Sequence, residues 1–457
     1  MQYAYRYAEP SRLTDDGRPR LALATSDTGL AAHPYFFEGR LTRPRLTADL
    51  LGAVHQIVAA RFFTPANTVA RTIALADPVV TSGGGLLRFE GFSGCCSAYI
   101  RADLLPPSYS GDVVGKGTTN VDFNEPMRAA LSRVRDDAGL ELSVGTAAFR
   151  LRSAGTEVIE RRVELPTRWV RGMLEVQAYQ AGMVRRFETT AVEALRFFRT
   201  LPKASTSRTP LWVARGAGGL YATTRPVDNG VRVTDSSRLR VLHALLPAAV
   251  TLSAFADEGQ QANAWVLDFG SARLTLALSA EVWRGFSGEG QALWALMQAG
   301  RGQVAAMLSS VRAQLQWQAA LDATLLAREL GVQAGVVTDV LRVLGASGLA
   351  GFDLFAGSYF HRVLPFDLSL VDDLHPRLTD ARALIEAGAV RVVGTDPFEA
   401  EVTTRDSAHR VRDVDHVLRC TCPWFATHQG ERGPCKHALA AAALRVTDDQ
   451  QIVSKPS

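Results

Sequence analysis

Three of the five cysteines in this 457-residue chain lie within one stretch of nineteen residues, RCTCPWFATHQGERGPCKH, at residues 419–437. Cys420 and Cys422 form a C-x-C pair, and Cys435 and His437 form a C-x-H pair after a gap of twelve residues. Thiolate sulfur and imidazole nitrogen are the donors that zinc most often takes in proteins. Matched pairs of such donors predict that these four side chains bind one metal ion.

The elements around the cysteines must bring these four donors to one point. The residues before them read as strand, turn and strand, and residues i and i+2 of a strand face the same side, so Cys420 and Cys422 can present both sulfurs to one ion. Pro434 suits the first turn of a helix, and the Ala-rich KHALAAAALR favours a helix after it. Cys435 and His437 are therefore predicted at a helix start, where the helix dipole favours a thiolate.

Four protein ligands fill a tetrahedral zinc shell and leave no position for water, so we expect one structural Zn²⁺ rather than a catalytic ion. Three thiolates and one neutral imidazole make the centre anionic, and Arg419, Arg432 or Lys436 could offset that charge. His428, in the loop between the two pairs, is a competing ligand. It belongs to no paired spacing, and we interpret it as a solvated loop histidine.

The C-x-C and C-x-H pairs, with a β-hairpin before them and an Ala-rich helix after them, resemble the SWIM zinc finger over residues 388–446. The resemblance implies a module that binds DNA or protein. The segments LRFEGFSGCCSAYIRADLLP and GKGTTNVDFNEPMRAALSRV also resemble a bacterial group of long SWIM proteins, often encoded beside MoxR-type AAA+ ATPases and von Willebrand A-domain proteins. That likeness implies a protein partner of one of these two kinds, and it supplies no enzymatic activity.

The bulk composition is that of a soluble globular protein, with 47% apolar and 21% charged residues. The N-terminal sequence lacks the apolar core of a signal peptide, and no apolar run reaches the ~20 residues that a membrane span requires. We therefore expect a cytoplasmic protein. Cysteines in that reducing compartment more often bind metal than form disulfides.

The charge is evenly balanced in the part of the chain that contains the clustered cysteines Cys420, Cys422 and Cys435. Residues 206–379 carry 14 basic and 14 acidic side chains, and residues 380–446 carry 9 of each. A protein that binds DNA by electrostatics shows a basic excess on one face or segment. The balance counts against DNA as the main partner, although folding could gather arginines onto one side.

The chain as a whole reads as a multidomain α+β protein. Strand and helix patterns are mixed from the start: LLRFEGFSG and SAYIRADLL read as strands, and NEPMRAALSRVRDDAG at 124–139 reads as a helix. AWVLDFGSARLTLALS at 264–279 reads as a hairpin that turns at Gly270-Ser271, and its DFG triplet stands without the other motifs of a protein kinase. LPKASTSRTP at residues 201–210 has the composition of a linker. The predicted parts are a mixed α/β platform at 1–205, a second α/β region at 206–318, a winged helix-turn-helix at 319–366, the SWIM zinc finger at 388–446 and a disordered tail at 447–457.

The segment LDATLLARELGVQAGVVTDVLRVLGASGLAGFDLFAGSYFHRVLPF predicts a winged helix, because it reads as a helix, a Gly turn, a second helix and a hairpin in that order. An arbitrary helical hairpin followed by a loop remains the alternative. Arg342 is the one basic residue among the predicted exposed positions of the second helix, so protein contact suits this element at least as well as DNA. The candidate nucleic-acid contacts are Arg342, Arg419, Arg432 and Lys436.

Several other patterns approach known catalytic motifs without completing them. Lys116 lies in an imperfect P-loop, and Ser93 in an imperfect nucleophile elbow. The adjacent Cys95 and Cys96 could be redox-active, although buried structural cysteines are commoner. Asp122 and Glu125 could form a carboxylate pair, and a helix N-terminus explains Glu125 equally well.

Together these patterns favour a zinc-binding, non-enzymatic adaptor that binds a macromolecular partner through its SWIM and winged-helix modules. The first alternative is a DNA-binding protein that uses the same two modules. The second is an enzyme with its site in the N-terminal platform, near Asp122 and Glu125.

Overall fold

The computed structural model describes residues 12–15, 19–23, 35–64, 78–112, 116–120, 129, 131–137, 141–145, 165–202, 209–364, 366, 371, 373–405, 407–415 and 417–445. They belong to two compact units, each assembled from segments that are distant in sequence. The first unit draws on residues 1–287, 315–321 and 348–366, and the second on residues 288–314, 322–347 and 367–457.

The first unit is built mainly of antiparallel β-sheet. Its strands are β1 (Arg12–Asp15), β2 (Pro19–Leu23), β3 (Tyr35–Leu41), β4 (Val79–Gly83), β5 (Leu86–Phe92), β6 (Ala98–Leu104), β7 (Tyr109–Asp112), β8 (Gly117–Asn120), β9 (Glu141–Gly145), β10 (Val184–Thr190), β11 (Leu211–Gly216), β12 (Gly219–Thr223), β13 (Val231–Val233), β14 (Thr251–Ala256), β15 (Ala262–Asp268), β16 (Ala272–Ser279), β17 (Ala350–Asp353) and β18 (Ser358–His361).

An eight-stranded sheet, ordered β10-β14-β15-β16-β6-β5-β4-β8, dominates this unit. The predicted hairpin of residues 264–279 corresponds to β15 and β16, and it turns at Gly270, whose φ of 78° suits glycine. A five-stranded sheet, β1-β2-β9-β3-β7, contains a parallel pair, β2 with β9. The remaining sheets are the three-stranded β12-β11-β13 and the hairpin β17-β18.

The helices of the first unit are α1 (Pro44–Ala59), α2 (Thr167–Ala181), α3 (Ala191–Phe198) and α4 (Arg240–Leu245), with 3-10 turns at Pro106–Ser108, Ser236–Leu239 and Leu246–Ala248. Helix α1 packs on β5 and β6, and α2 packs on β5 and β17. Every residue of β6 is buried, as is nearly all of β5, because both strands lie inside the sheet with helices over them. Half of the predicted helix over 124–139 falls outside the described residues.

Six charged side chains are buried where the hairpin β17–β18 meets β5 and β6, and we call them the ionic cluster. Each is at most 2% exposed: Arg88, Glu90, Arg101, Asp103, Asp353 and Arg362. Asp353 lies 3.3 Å from Arg88 and 3.5 Å from Arg101, while Arg362 lies 2.7 Å from Glu90. Charges buried this deeply need partners, so the hairpin and the strands are fixed to each other by their charges.

The second unit combines seven helices of the described chain with a four-stranded antiparallel sheet. The helices are α5 (Ala292–Gln298), α6 (Gly302–Ala313), α7 (Ala323–Leu330), α8 (Ala334–Ala346), α9 (Pro376–Glu386), α10 (Pro423–His428) and α11 (Lys436–Ala443). The strands are β19 (Val390–Thr395), β20 (Phe398–Thr403), β21 (Ala408–Val414) and β22 (Val417–Cys420), paired in chain order. A further 3-10 turn spans Phe286–Gly288.

The segment predicted as a winged helix contains each expected element. The Asp322 side chain accepts hydrogen bonds from the first N–H groups of α7, the helix ends at Gly331 in the left-handed conformation, and α8 follows. Helices α7 and α8 lie in the second unit, whereas the hairpin β17–β18 lies in the first, bound to its ionic cluster. The structure therefore does not show the predicted winged helix as one module.

The described residues therefore form a multidomain α+β protein, as the sequence indicates. The predicted boundary at 205–206 falls within the first unit, and the segment 319–366 is divided between the units. Among the described residues, no helix combines the length and apolar character needed to cross a bilayer.

Candidate metal centre

The two pairs of predicted ligands lie where secondary-structure elements begin or end. Cys420 is the last residue of β22, and Cys422 is the N-cap of α10, which begins at Pro423. The sequence predicted that Cys420 and Cys422 share a strand and that a loop follows. Instead the strand ends at Cys420, but Cys422 keeps an extended backbone, so the alternation that puts both sulfurs on one side continues through it.

The second pair occupies the start of the Ala-rich helix, as predicted. Cys435 is the N-cap of α11, and its Sγ accepts a hydrogen bond from the backbone N–H of Ala438 at 3.3 Å. Cys422 caps α10 in the same way, accepting from Phe425 N–H at 3.4 Å. Both sulfurs therefore face the positive end of a short helix, which favours the thiolate form that binds metal.

The four predicted ligands come together at one point. The donor atoms of Cys420, Cys422, Cys435 and His437 all lie within 4.8 Å of one another, and all four residues are buried. The Nδ1 atom of His437 lies 3.8 Å from the Sγ of Cys420. Three sulfurs and one imidazole nitrogen in a closed group fit the donor set of a structural Zn²⁺.

The thiols influence one another's protonation. Hydrogen bonds from Cys420, and then from Cys435, lower the pKa of Cys422 below its ordinary value. The hydrogen bond that Cys420 makes to Cys422 raises the pKa of Cys420. A bound cation would favour the thiolate form of all three cysteines, because a metal ligand must be deprotonated.

A second histidine, His409 on β21, lies against the centre and was not identified from the sequence. Its ring centroid is 4.3 Å from that of His437, and its Nε2 lies 3.0 Å from Ser407 Oγ. Burial, and then the proximity of His437, lowers the pKa of His409. Strand alternation was the one sequence feature that could have pointed to His409, because His409 shares the inward face of β21 with the buried Val411.

His428, the competing ligand, is not part of the group. It is the last residue of α10 and is half-buried, with its ring 4.2 Å from that of Trp424. It therefore belongs to a short helix and contacts an aromatic ring, rather than being a solvated loop residue as expected.

Arg377 on α9 holds the loop that leads into the second pair of ligands. Its Nη1 donates to the carbonyl oxygens of Arg432 at 2.9 Å and Pro434 at 2.8 Å. Its Nη2 donates to the backbone carbonyl oxygen of Glu289 at 3.1 Å. The guanidinium also lies over the Trp424 ring, 4.6 Å from its centroid. Sequence reasoning missed Arg377 because it precedes the ligands by more than forty residues and belongs to no local motif.

A second arginine, Arg301, closes the far end of the zinc-finger helix. Its guanidinium donates to the carbonyl oxygens of Ala442 at 2.7 Å and Arg445 at 2.8 Å. The Ala442 carbonyl also accepts the Arg445 N–H at 3.2 Å, so Arg301 is an additional C-terminal cap supplied from elsewhere in the chain. The zinc finger is thus supported by residues well outside its own sequence.

Three of the four candidate nucleic-acid contacts have partners within the protein. Arg342 pairs with Asp339 at 2.7 Å, Lys436 pairs with Asp380 at 3.1 Å, and Arg432 donates to the Gly288 carbonyl at 2.7 Å. Arg419 is exposed on β22. Arg342 is not among the residues grouped at the metal centre.

The sheet β19–β22 has two different faces. Val411 and Cys420 point inward, so the alternate residues form what we call the outer face. Its charged members are Arg391, Glu399, Glu401, Arg410, Arg412 and Arg419. Glu399 lies 2.9 Å from Arg410 and 3.2 Å from Arg412, while Arg419 lies directly across from Arg412 in the strand register.

The other candidates from the sequence are either structural or outside the described residues. Asp122 and Glu125 are not described. Lys116 is exposed beside β8, and Ser93 is buried in the turn between β5 and β6. Asp268 accepts the Gly270 N–H at 2.9 Å, so the DFG triplet there is a hairpin turn.

The solved structures that match this chain include two distant likenesses. Proliferating Cellular Nuclear Antigen from Entamoeba histolytica has a TM-score of 0.33 and 9% identity, over 54% of this chain and 98% of that one. The Caulobacter crescentus protein described as pol III beta has a TM-score of 0.34 and 18% identity, over 54% of this chain and 66% of that one. Likenesses this weak establish neither a shared fold nor a shared function.

A comparison with curated proteins gave no match. The chain's match to a known protein family lies in its C-terminal part. The matched residues include the strand that carries Cys420, both capped helices and the loop that Arg377 holds. Residues 417–445 match the SWIM zinc finger, and this match contains all four grouped ligands.

Proposed function

We propose that this chain is a zinc-containing, non-enzymatic adaptor whose SWIM module binds a macromolecular partner. The observation that carries the proposal is the closed group of Cys420, Cys422, Cys435 and His437. Four protein donors satisfy a tetrahedral zinc ion, so the ion would hold the strand and both helices together without activating water. The metal then maintains the shape of a binding surface and catalyses no reaction.

The outer face of β19–β22 is the surface that best fits this role. It carries four arginines and two glutamates, together with Val414 and Val417, which are 36% and 52% exposed. Arg419 lies directly across from Arg412, which already pairs with Glu399 at 3.2 Å, so Arg419 is the outer-face cation best placed to bind an anionic group of a partner. Exposed valines beside cations suit a protein with acidic and apolar side chains better than they suit a phosphate backbone.

The resemblance to long SWIM proteins directs the choice of partner. We propose that the partner is a protein, a MoxR-type AAA+ ATPase or a von Willebrand A-domain protein. Helices α7 and α8, with or without a winged-helix arrangement, would provide a second contact surface in the same unit.

Affinity purification of the intact protein from its host tests this proposal. We expect recovery of an AAA+ ATPase or a von Willebrand A-domain protein that resists nuclease treatment. Arg412→Glu with Arg419→Glu should lose the partner while retaining zinc. Arg185→Glu serves as the matched control, since Arg185 is an exposed, ion-paired strand residue of the first unit. Recovery that depends on nucleic acid, or that survives the double change, would contradict the proposal.

DNA binding is the second candidate function, because Arg419 is exposed on the outer face directly across from Arg412, although Arg412 itself pairs with Glu399. The pairs Arg342–Asp339 and Lys436–Asp380 weaken it, since each neutralises a cation that would otherwise contact phosphate. An enzyme with a site near Asp122 and Glu125 is the third.

A further inference from the structure

The turn between β5 and β6 contains the chain's remaining two cysteines, and the structure gives them different surroundings. Cys95 is partly exposed, whereas Cys96 is fully buried. The Sγ of Cys96 points to the carbonyl oxygen of Arg168 at 3.9 Å, and burial raises its pKa to about 12. Of the five cysteines, Cys95 alone combines exposure with a place outside the metal centre.

The sulfur of Cys95 lies among hydrogen-bond donors. Its Sγ is 3.2 Å from Ser97 Oγ and 3.5 Å from Ser93 Oγ, and both serines are fully buried. The backbone groups of Ser97 and Phe62 contribute further hydrogen bonds. Burial tends to raise the pKa of Cys95, but these hydrogen bonds outweigh it and leave the pKa below the ordinary thiol value.

The turn itself is held rigidly. Cys96 has a left-handed backbone with φ of 57°, and its carbonyl accepts the Phe286 N–H at 2.9 Å. A Cβ added at Gly285 would lie 2.4 Å from the Cys95 carbonyl oxygen, so only glycine permits this close approach. The donors around Cys95 are therefore fixed before any reagent arrives.

A buried guanidinium beside this turn provides an independent observation. Arg238 is 1% exposed and donates through Nη1 to the carbonyl oxygens of Ser97 at 3.2 Å and Ser279 at 2.9 Å. Within the described part of the chain its Nε has no hydrogen-bond partner, and it forms no ion pair with a carboxylate. Burial lowers its pKa to about 10, and negative charge at Asp235 and then at Cys95 opposes that shift. Arg238 thus remains a buried cation that favours an anion beside it.

We infer that Cys95 is an oxidant-sensitive thiol, which hydrogen peroxide converts to a sulfenic acid while Cys96 and the zinc ligands stay reduced. The Cys95 thiolate attacks one peroxide oxygen, an S–O bond forms, the O–O bond breaks, and hydroxide leaves and combines with the proton that the thiol released on ionising, which gives water. Sulfur is oxidised and peroxide is reduced. The Arg238 charge favours both the thiolate and the hydroxide that departs.

The adjacent thiol does not complete the reaction to a disulfide. The two side chains have different partners, and Cys96 is held as a buried, protonated thiol, which is a poor nucleophile. The sulfenic acid therefore persists until an external thiol reduces it. This inference does not depend on the proposed function.

Peroxide treatment of the full, zinc-loaded chain tests the inference. Dimedone present during the reaction traps sulfenic acid, and peptide mass spectrometry locates it. We expect the label on Cys95, with an equal rate in Cys96→Ser and none in Cys95→Ser. A wild-type chain that gains no label at Cys95, or that forms a Cys95–Cys96 disulfide, overturns the inference.

Alkylation gives a second test, and its main measurement uses the unmodified chain. The rate of iodoacetamide reaction at Cys95 should rise with pH and reach its midpoint below that of a free cysteine thiol. A one-unit rise in pKa lowers the thiolate fraction about tenfold near neutral pH, partly offset by greater nucleophilicity, so Ser97→Ala should slow the reaction about threefold. A midpoint at or above that of free cysteine overturns the inference.

Discussion

The metal centre and the ionic cluster are both closed groups of buried polar side chains, and they are built in opposite ways. The four ligands of the metal centre lie within residues 420–437, and one cation would satisfy all of them. The ionic cluster joins strands at 88–103 to a hairpin at 353–362 and balances three arginines with three carboxylates. The first depends on an external ion and the second on the protein's own charges. Removing metal and removing a charge should therefore damage different units.

The largest expected effect is that of zinc loss. Purified protein should contain close to one Zn²⁺ per chain, and Cys422→Ser should abolish it, because structural zinc contributes about 10–16 kcal/mol to the folding of such modules. Chelation should unfold residues 417–445 and leave the first unit folded. Metal analysis with hydrogen exchange provides the measurement. A metal-free chain with this segment still protected from exchange would refute the zinc assignment.

The next effect concerns the ionic cluster. Arg362→Ala should destabilise the first unit by about 3–5 kcal/mol, because it leaves the fully buried Glu90 without its ion pair. Replacing both residues, as Arg362→Met with Glu90→Leu, should cost much less. Urea unfolding monitored in the first unit measures both variants, and zinc content should stay unchanged. Equal losses in the single and double variants would show that volume, rather than charge, fixes the hairpin.

A smaller effect is expected at Arg377, which supports the metal centre from outside the SWIM sequence. Arg377→Ala should free the carbonyl groups of Arg432 and Pro434 and lower zinc affinity about tenfold, a loss typical of residues that orient metal ligands. Competition with a chromogenic chelator measures the affinity. Arg391→Ala is the matched control, since it removes an exposed outer-face arginine and should leave affinity unchanged. No loss at Arg377 would mean that residues 417–445 hold the ion unaided.

The smallest expected effect is binding to duplex DNA. Affinity that depends on neutralising Z phosphates falls with salt at a logarithmic slope of about −0.9Z, and we expect an effective Z below about three with no binding near physiological salt. Anisotropy titration over a salt series measures it. Nanomolar binding that persists at physiological salt and weakens in Arg419→Ala would favour the DNA function over the adaptor.

The sequence by itself determined the metal centre. Cys420, Cys422, Cys435 and His437 are close in the chain, and strand alternation and helix capping bring such neighbours together through local geometry. It also indicated the β5, β6, β15 and β16 strands, the turn at Gly270 and the Ala-rich helix. Each of these depends on residue types only a few positions apart.

Only the tertiary structure decided which segments that are distant in sequence contact one another. It placed the hairpin β17–β18 in the first unit, against Arg88 and Arg101, rather than with helices α7 and α8. It also brought Arg377 and Arg301 to the zinc finger, and Arg238 to the turn that carries Cys95. Long-range pairing of this kind reflects burial and charge complementarity over many residues, which no local pattern in the sequence records.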